Sequence, residues 1–484
     1  LMLDQETWSE QQASGTWRAM FAPGSWPNRW PVLAWLLALY ALGFGAFPLA
    51  FGLLRGLPDR GYLLSKALGL LLFGYLAWIL PSLRVAPNTT GVMWACAGLV
   101  VGAGAAAAYL QRHALRSFLR LRWRWLLRSE ILFLALFGVF VAIRYANPDL
   151  WHPVMGGEKP MDLAYLNAIL RRRWFPPYDP WFAGGYINYY YLGLAQVASL
   201  IKLTGIVPTT AYNLAVPTLF ALTGTGACSV VYSLLASDEE GGWWSRAWGY
   251  GLAGTVAIVL LGTLGQAKLL WEGWKALGAG AMASASSATL RSLTSGVTGL
   301  WRWLFEGQAL AFRPEWWYWN ASRIMGHGEI NEFPFFTFLY ADLHAHLTAL
   351  PYTLLALGGA LGLALPDDGG GEDPPEVEAG ASGARGRMSE WWRRIRGYAR
   401  WPLPGLMLLA LTLGALTVVA GVLASAAPSS GSWTRSPVAS ASTSRSSVPS
   451  SPASTESLSW NSEPLRRSAA LIVTGPASRP RCSP

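Results

Sequence analysis

Long apolar runs separated by short polar stretches occupy most of the chain. Runs near the ~20 residues needed to cross a bilayer fall at about 31–54, 62–81, 91–110, 127–145, 186–206, 211–235, 247–266, 347–365 and 402–425. They contain Gly and Pro, which membrane helices tolerate because neighbouring helices re-satisfy the freed backbone groups. A transmembrane barrel would instead show ten-residue segments of alternating hydrophobicity. The pattern predicts an all-α, polytopic helical membrane protein with nine or ten transmembrane helices. Three parts follow: a polar segment 1–30, a membrane domain 31–425 and a Ser/Pro/Arg-rich low-complexity tail 426–484. The first apolar run starts only near Pro31 and is long, so it reads as a spanning helix and not as a cleavable signal.

Charge sets the orientation. Only 13% of the 484 residues are charged and 52% are hydrophobic, against about 25% charged in a typical soluble domain. The net charge of +10 does not point to nucleic acid, because positive residues also gather on cytoplasmic loops. Arg112, Arg116, Arg120, Arg122, Arg124 and Arg128 contain no acid among them and are predicted to be cytoplasmic. The fourth run then leads outward, so the loop 146–186 is predicted to be extracytoplasmic. Arg393, Arg394, Arg396 and Arg400 place a second cytoplasmic segment before the last run. The two clusters require an even number of crossings between Tyr186 and Ala345, whereas the apolar runs give three. Either 247–266 does not cross or a weak span lies within 275–300. The acidic, Gly- and Pro-rich loop 366–390 reads as disordered and cytoplasmic. The three cysteines have neither disulfide-framework nor zinc-module spacing.

Three polar constellations stand out against this background. In the first, Glu158, Lys159, Pro160 and Asp162 open a helix that ends in Arg171, Arg172 and Arg173. Pro suits a first helical turn, and the helix N-terminus favours an ionised Asp162. The plain alternative is an interfacial amphipathic helix with solvated charges. In the second, Asp179 sits between prolines, followed by Trp181 and by Tyr189, Tyr190 and Tyr191. These form either an aromatic belt or a stacking platform for a sugar or polyprenyl group. The third, a second site loop at 315–346, carries Arg323, Glu332, Asp342, His344 and His346. Asp342, His344 and His346 offer ligands for a divalent cation such as Mg²⁺ or Mn²⁺, or a base oriented by a carboxylate. Arg323, beside Trp316, Trp317 and Trp319, offers a bidentate fork for phosphate. No GxxxxGK[ST], GxGxxG or HExxH is present, so no nucleotide cofactor is expected.

In order along the chain, Glu158-Lys-Pro-Met-Asp162, Pro-Pro-Tyr-Asp179-Pro-Trp, Asn188-Tyr-Tyr-Tyr191, Ala211-Tyr-Asn213, Ser322-Arg323, Ile330-Asn-Glu-Phe-Pro and Asp342-Leu-His-Ala-His346 resemble the "YYY" family. These are very hydrophobic bacterial and archaeal membrane proteins catalogued as a domain of unknown function. The resemblance covers roughly residues 30–425. The family continues with further spans beyond that point, so the tail is expected to be either a natural linker or a truncated or frameshifted end. The layout is in turn similar to that of GT-C glycosyltransferases, polytopic enzymes that use a lipid-phosphate-linked sugar and carry an acidic motif on their first large external loop.

The resemblance implies an integral membrane glycosyltransferase that moves a sugar from a polyprenyl-phosphate donor to an extracytoplasmic acceptor. Asp162, with Glu158, is expected to act as the base. Lys159, Asp179, Trp181, Tyr189, Tyr190, Tyr191, Arg323 and Glu332 are expected to contact substrate, and Asp342, His344 and His346 to hold a metal. The expected partners are the lipid-linked donor and membrane lipid, with no nucleic acid. A transporter or flippase is the first alternative, but it needs ionisable residues within spans. Lys66 and Lys202 lie near span ends, where they can snorkel. A metal-dependent lipid-phosphate hydrolase is the second alternative.

Overall fold

The computed structural model describes residues 5, 9, 20–151, 157–182, 184–236, 245–261, 265–280, 287–310, 322 and 332–365, all within one compact unit. The run 402–425, the loop 366–390 and the tail 426–484 lie outside the described residues. The observed elements are helices: α1 Pro31–Leu53, α2 Ser65–Ser82, α3 Thr90–Leu110, α4 Arg112–Ala146, α5 Lys159–Arg171 and α6 Leu192–Thr204. They continue as α7 Pro208–Leu235, α8 Arg246–Val259, α9 Gly265–Leu277, α10 Ala288–Phe305, α11 Pro334–Tyr340 and α12 Ala345–Ala364. Six of them (α1, α2, α3, α4, α7 and α12) are long and apolar enough to cross a membrane. The chain is therefore a polytopic helical membrane protein.

The central helix is α7, buried along nearly its whole length. In an apolar medium its hydroxyls must find partners within the protein. Thr218, Thr223 and Thr225 do so by donating to the carbonyls of Leu214, Leu219 and Ala221, one turn back. Small residues then let neighbouring helices approach closely. The tightest such crossing joins α1 and α3, where a Cβ on Gly104 would lie 1.6 Å from the Gly45 carbonyl oxygen.

The parity conflict in the sequence resolves at α6. This helix has 13 residues and is about 20 Å long, well short of the ~30 Å hydrocarbon core. Both of its ends lie at the same end of the bundle. Before it, the Tyr191 hydroxyl accepts from Trp78 Nε1 near the end of α2. At its far end, Lys202 donates to the Asn88 carbonyl between α2 and α3. Just beyond, Asn28, which precedes α1, bonds the Gly205 carbonyl and the Val207 amide. The apolar run 186–206 thus holds a short helix with both ends at one end of the bundle, and does not cross. By contrast, α8 runs back along α7, from the Trp248–Tyr232 ring contact to the Thr255–Gly224 hydrogen bond. Taking α6 out leaves two apolar runs, 211–235 and 247–266, the even number that the arginine clusters require; of their described helices only α7 is long enough to cross. Within 275–300 the observed α9–α10 hairpin is closed by Arg302 on the Leu277 carbonyl.

Lys66 does not snorkel. Its side chain is 6% exposed and its ammonium pairs with Glu130 at 2.7 Å. The rings of Tyr40 and Phe133 lie 4.9 Å away, and the Tyr40 hydroxyl bonds the other Glu130 oxygen at 2.6 Å. The pair ties α1, α2 and α4 together. Removing one partner from a buried pair strands the other, at a cost of about 3–5 kcal/mol, while replacing both is far better tolerated. Lys66→Met and Glu130→Gln should therefore each lower the thermal midpoint in detergent. The double variant should recover most of the loss; additive losses would show that the pair is not coupled.

Candidate active site

Helix α5 starts the site because its inward face begins with charges. Lys159, Asp162, Tyr165, Leu166, Ile169 and Leu170 are buried, at the spacing that puts residues on one helical face. The apolar part anchors the helix against the bundle, and this carries Lys159 and Asp162 inward. The expectation of solvated charges on an interfacial helix is not met for these two residues.

Asp162 is fully buried. Its Oδ2 accepts from the Leu343 amide at 2.9 Å and from the Tyr212 hydroxyl at 3.2 Å, joining α5, α7 and the turn before α12. Its Oδ1 has no hydrogen-bond partner. Asp342, also buried, accepts from the Glu158 amide at 2.9 Å and lies 3.2 Å from Lys159 Nζ. Lys159 donates in addition to the Tyr340 carbonyl. The turn that presents Asp342 contains Ala341 at φ 63°. It faces Gly157, whose φ is +62°, and a Cβ there would meet Asp342 Oδ2 at 2.4 Å. Glycine at 157 answers both the backbone conformation and the close approach.

Above this buried layer lies a more open one. Glu158, with its side chain 48% exposed, accepts from His344 Nε2 at 3.0 Å and from the Tyr189 hydroxyl at 3.1 Å. His344 also approaches Asp342 Oδ2 at 3.4 Å. His346, 49% exposed, bonds Glu332 at 2.6 Å, and Thr337 contacts both. The two imidazoles stack with centroids 5.0 Å apart. Ligand atoms of Glu332, His344 and His346 all lie within 4.8 Å of one another. Asp342, grouped with the two histidines from sequence, instead spends its oxygens on Lys159 and the Glu158 amide, and Glu332 stands in the third position.

The two layers differ in ionisation. Burial, reinforced by the Asp342 charge, pushes the Asp162 carboxyl up to about 7; loss of water outweighs the helix N-terminus. Burial likewise raises Asp342, with Lys159 opposing. Glu158 moves the other way, because the His344 hydrogen bond holds it below the usual carboxylate range. Burial works against a charged His344, yet its bond to Glu158 and the Asp342 charge raise it overall. Burial would also raise Glu332, but the His346 bond brings it below its ordinary value.

The remaining expected residues scatter. Tyr190 packs on Tyr189 at 5.0 Å, whereas Tyr191 faces Trp78. Asp179 holds its own turn by accepting from the Trp181 amide, and Trp181 is 64% exposed. Arg323 lies outside the described residues. Sequence reasoning missed Tyr212, Thr337 and Arg144. Tyr212 had a signal, since it stands in the Ala211-Tyr-Asn213 motif; Arg144 is a lone cation at the end of an apolar run.

A carboxyl raised from 3.8 to about 7 makes the folded protein bind a proton that the unfolded chain releases. Its contribution to stability is full below about pH 4 and is lost as pH rises through about 7. Asp162→Asn keeps an oxygen for Leu343 and Tyr212 but removes the titration. The variant should lose less thermal stability than the wild type between pH 5 and 8. Equal losses would mean that Asp162 titrates normally.

Residues 72–427 match the family described as Uncharacterized membrane protein (DUF2298). No curated protein and no solved structure matches the chain. The family match runs from α2 through every part of the site built above, so the chain belongs to this family of uncharacterized membrane proteins.

Proposed function

We propose that the protein is a GT-C-like glycosyltransferase that moves a sugar from a lipid-phosphate-linked donor to an acceptor hydroxyl on the extracytoplasmic side. One observation carries the reading. An ionised, water-accessible Glu158 stands beside His344, Glu332 and His346 at the end of a helical bundle, on a rigid buried base of Asp162, Asp342 and Lys159. The arginine-rich start of α4 lies at the other end of that helix from Arg144. The positive-inside rule then favours an external site.

In this reading Glu158 is the base and Asp162 a positioning residue, because a fully buried carboxyl offers no approach to an acceptor. The Glu158 carboxylate, half exposed beside His344 Nε2, takes the proton of the acceptor hydroxyl. The hydroxyl oxygen attacks the anomeric carbon, the bond to the donor phosphate breaks, and the lipid phosphate leaves. Glu332, His344 and His346 would hold a divalent cation, which supplies charge neutralisation for that phosphate. Lys159, spent on Asp342 and Tyr340, would act through Asp342. A metal-dependent lipid-phosphate hydrolase remains the second reading, favoured by the same two histidines and carboxylate with water in place of the acceptor. The transporter reading has the Lys66–Glu130 pair in its support, but aromatic rings surround Lys66.

A general base contributes about 10²–10⁴-fold. Glu158→Gln should lower sugar transfer from a polyprenyl-phosphate sugar at least a hundredfold, with membrane level and thermal midpoint close to wild type. Transfer at the wild-type rate would remove Glu158 from the role. Sugar or phosphate released only into water, whatever acceptor is supplied, would favour the hydrolase. Glu332→Ala with His346→Ala should abolish any stimulation by Mn²⁺ or Mg²⁺.

A further inference from the structure

Beside the site, on the other flank of α5, lies a largely apolar groove of about 920 Å³. It runs between the start of α1, the end of α4, α5 and the start of α7, with Val32, Val141, Leu163, Asn167 and Asn213 among its walls. Arg144 also lines it and is only 4% exposed. Its Nε donates to Asn213 Oδ1 at 2.8 Å and its Nη2 to the Asp149 carbonyl at 3.2 Å. Asn213 is held for this task, since its amide nitrogen donates to the Pro148 and Thr209 carbonyls. No carboxylate forms an ion pair with Arg144 among the described residues. The nearby Asp149 turns Oδ1 to the Trp151 amide instead.

An arginine cannot shed its proton, and a buried charge demands a counter-charge. Here its hydrogen-bond partners among the described residues are two neutral oxygens, the Asp149 and Asp342 charges act on it without forming an ion pair, and the guanidinium retains further N–H groups next to an apolar groove. We infer that this groove is the seat of an anionic lipid, whose phosphate Arg144 holds and whose chain lies along α1, α4 and α5. The apolar walls favour a lipid over a free, fully hydrated phosphate. Pro160 lines the groove and is the neighbour of Lys159, so a headgroup at Arg144 is carried on the same first turn of α5 that forms the candidate site. The inference rests on the lipid-phosphate half of the proposed function and extends it to a location.

The test is a binding titration on the purified full chain in detergent, followed by native mass spectrometry, with farnesyl phosphate, farnesol and inorganic phosphate as probes. Farnesyl phosphate should bind at least tenfold tighter than farnesol. Arg144→Gln should erase that preference and Arg144→Lys should keep part of it. Ala164→Trp, which fills the groove while leaving the Arg144 bonds in place, should weaken both farnesyl probes and decides the matter if Arg144→Gln fails to fold. An unchanged preference in Arg144→Gln, or unchanged binding in Ala164→Trp, would overturn the inference. Inorganic phosphate binding as tightly as the lipid would overturn it in favour of a free-anion site. Because the readout is binding, a lipid bound through Arg144 without any sugar transfer would leave this site standing and remove the transferase reading.

Discussion

Much of the site hangs on one buried carboxyl. Asp162 receives a backbone amide from the turn before α12 and a hydroxyl from the central helix α7, so three segments far apart in sequence meet at its Oδ2. Leaving either donor without a partner in a dry interior would be costly. The Leu343 amide also reaches the Tyr212 hydroxyl at 3.0 Å, which closes a small triangle. Fixing the turn at Leu343 fixes its neighbours Asp342 and His344 in turn, and through them Glu158. The open layer therefore inherits its geometry from the buried one.

The division into two layers also accounts for the opposite ionisation of chemically similar groups. Glu158 and Asp162 are one helical turn apart, yet one is held low by His344 and the other driven up by burial and by Asp342. Pairs of carboxyls pushed apart by their surroundings are a common mark of divided labour. In the proposed function the exposed member is the base and the buried member sets position.

The sequence made the membrane helices legible because length and hydropathy decide them almost alone. Boundaries of α1, α2, α3, α7 and α12 agree with the apolar runs to within a few residues. It misjudged α6 because an apolar run records only that a segment avoids water, and not whether it crosses. That decision lies in side-chain bonds from Asn28, Trp78 and Lys202, which no local window contains. Glu158, Lys159, Asp342, His344 and His346 were legible as charges out of place in an apolar chain. What stayed hidden was their layering. Asp162 and Glu158 look equivalent in sequence, and only the packing of Leu166 and Ile169 beneath α5 turns one inward. Arg144 was hidden for the opposite reason: a single arginine at a span end resembles an ordinary interfacial anchor until its burial is known.

A site at the end of a bundle solves a physical problem for any enzyme that joins a lipid to something soluble. The ionisable groups must stay in water to exchange protons, while the lipid chain must stay out of it. In the proposed function, helix α5 would meet both demands with different faces. Glu158 caps its N-terminus, Asp162 is buried in its first turn, and its flank at Pro160 and Leu163 walls the apolar groove. The helix is itself pinned by Asn88, whose side chain donates to the carbonyls of Ile169 and Arg172. Held at both ends, α5 behaves as a fixed partition. Any ligand that spans groove and site must bridge it at the first turn, where Pro160, Lys159 and Glu158 follow one another in the chain.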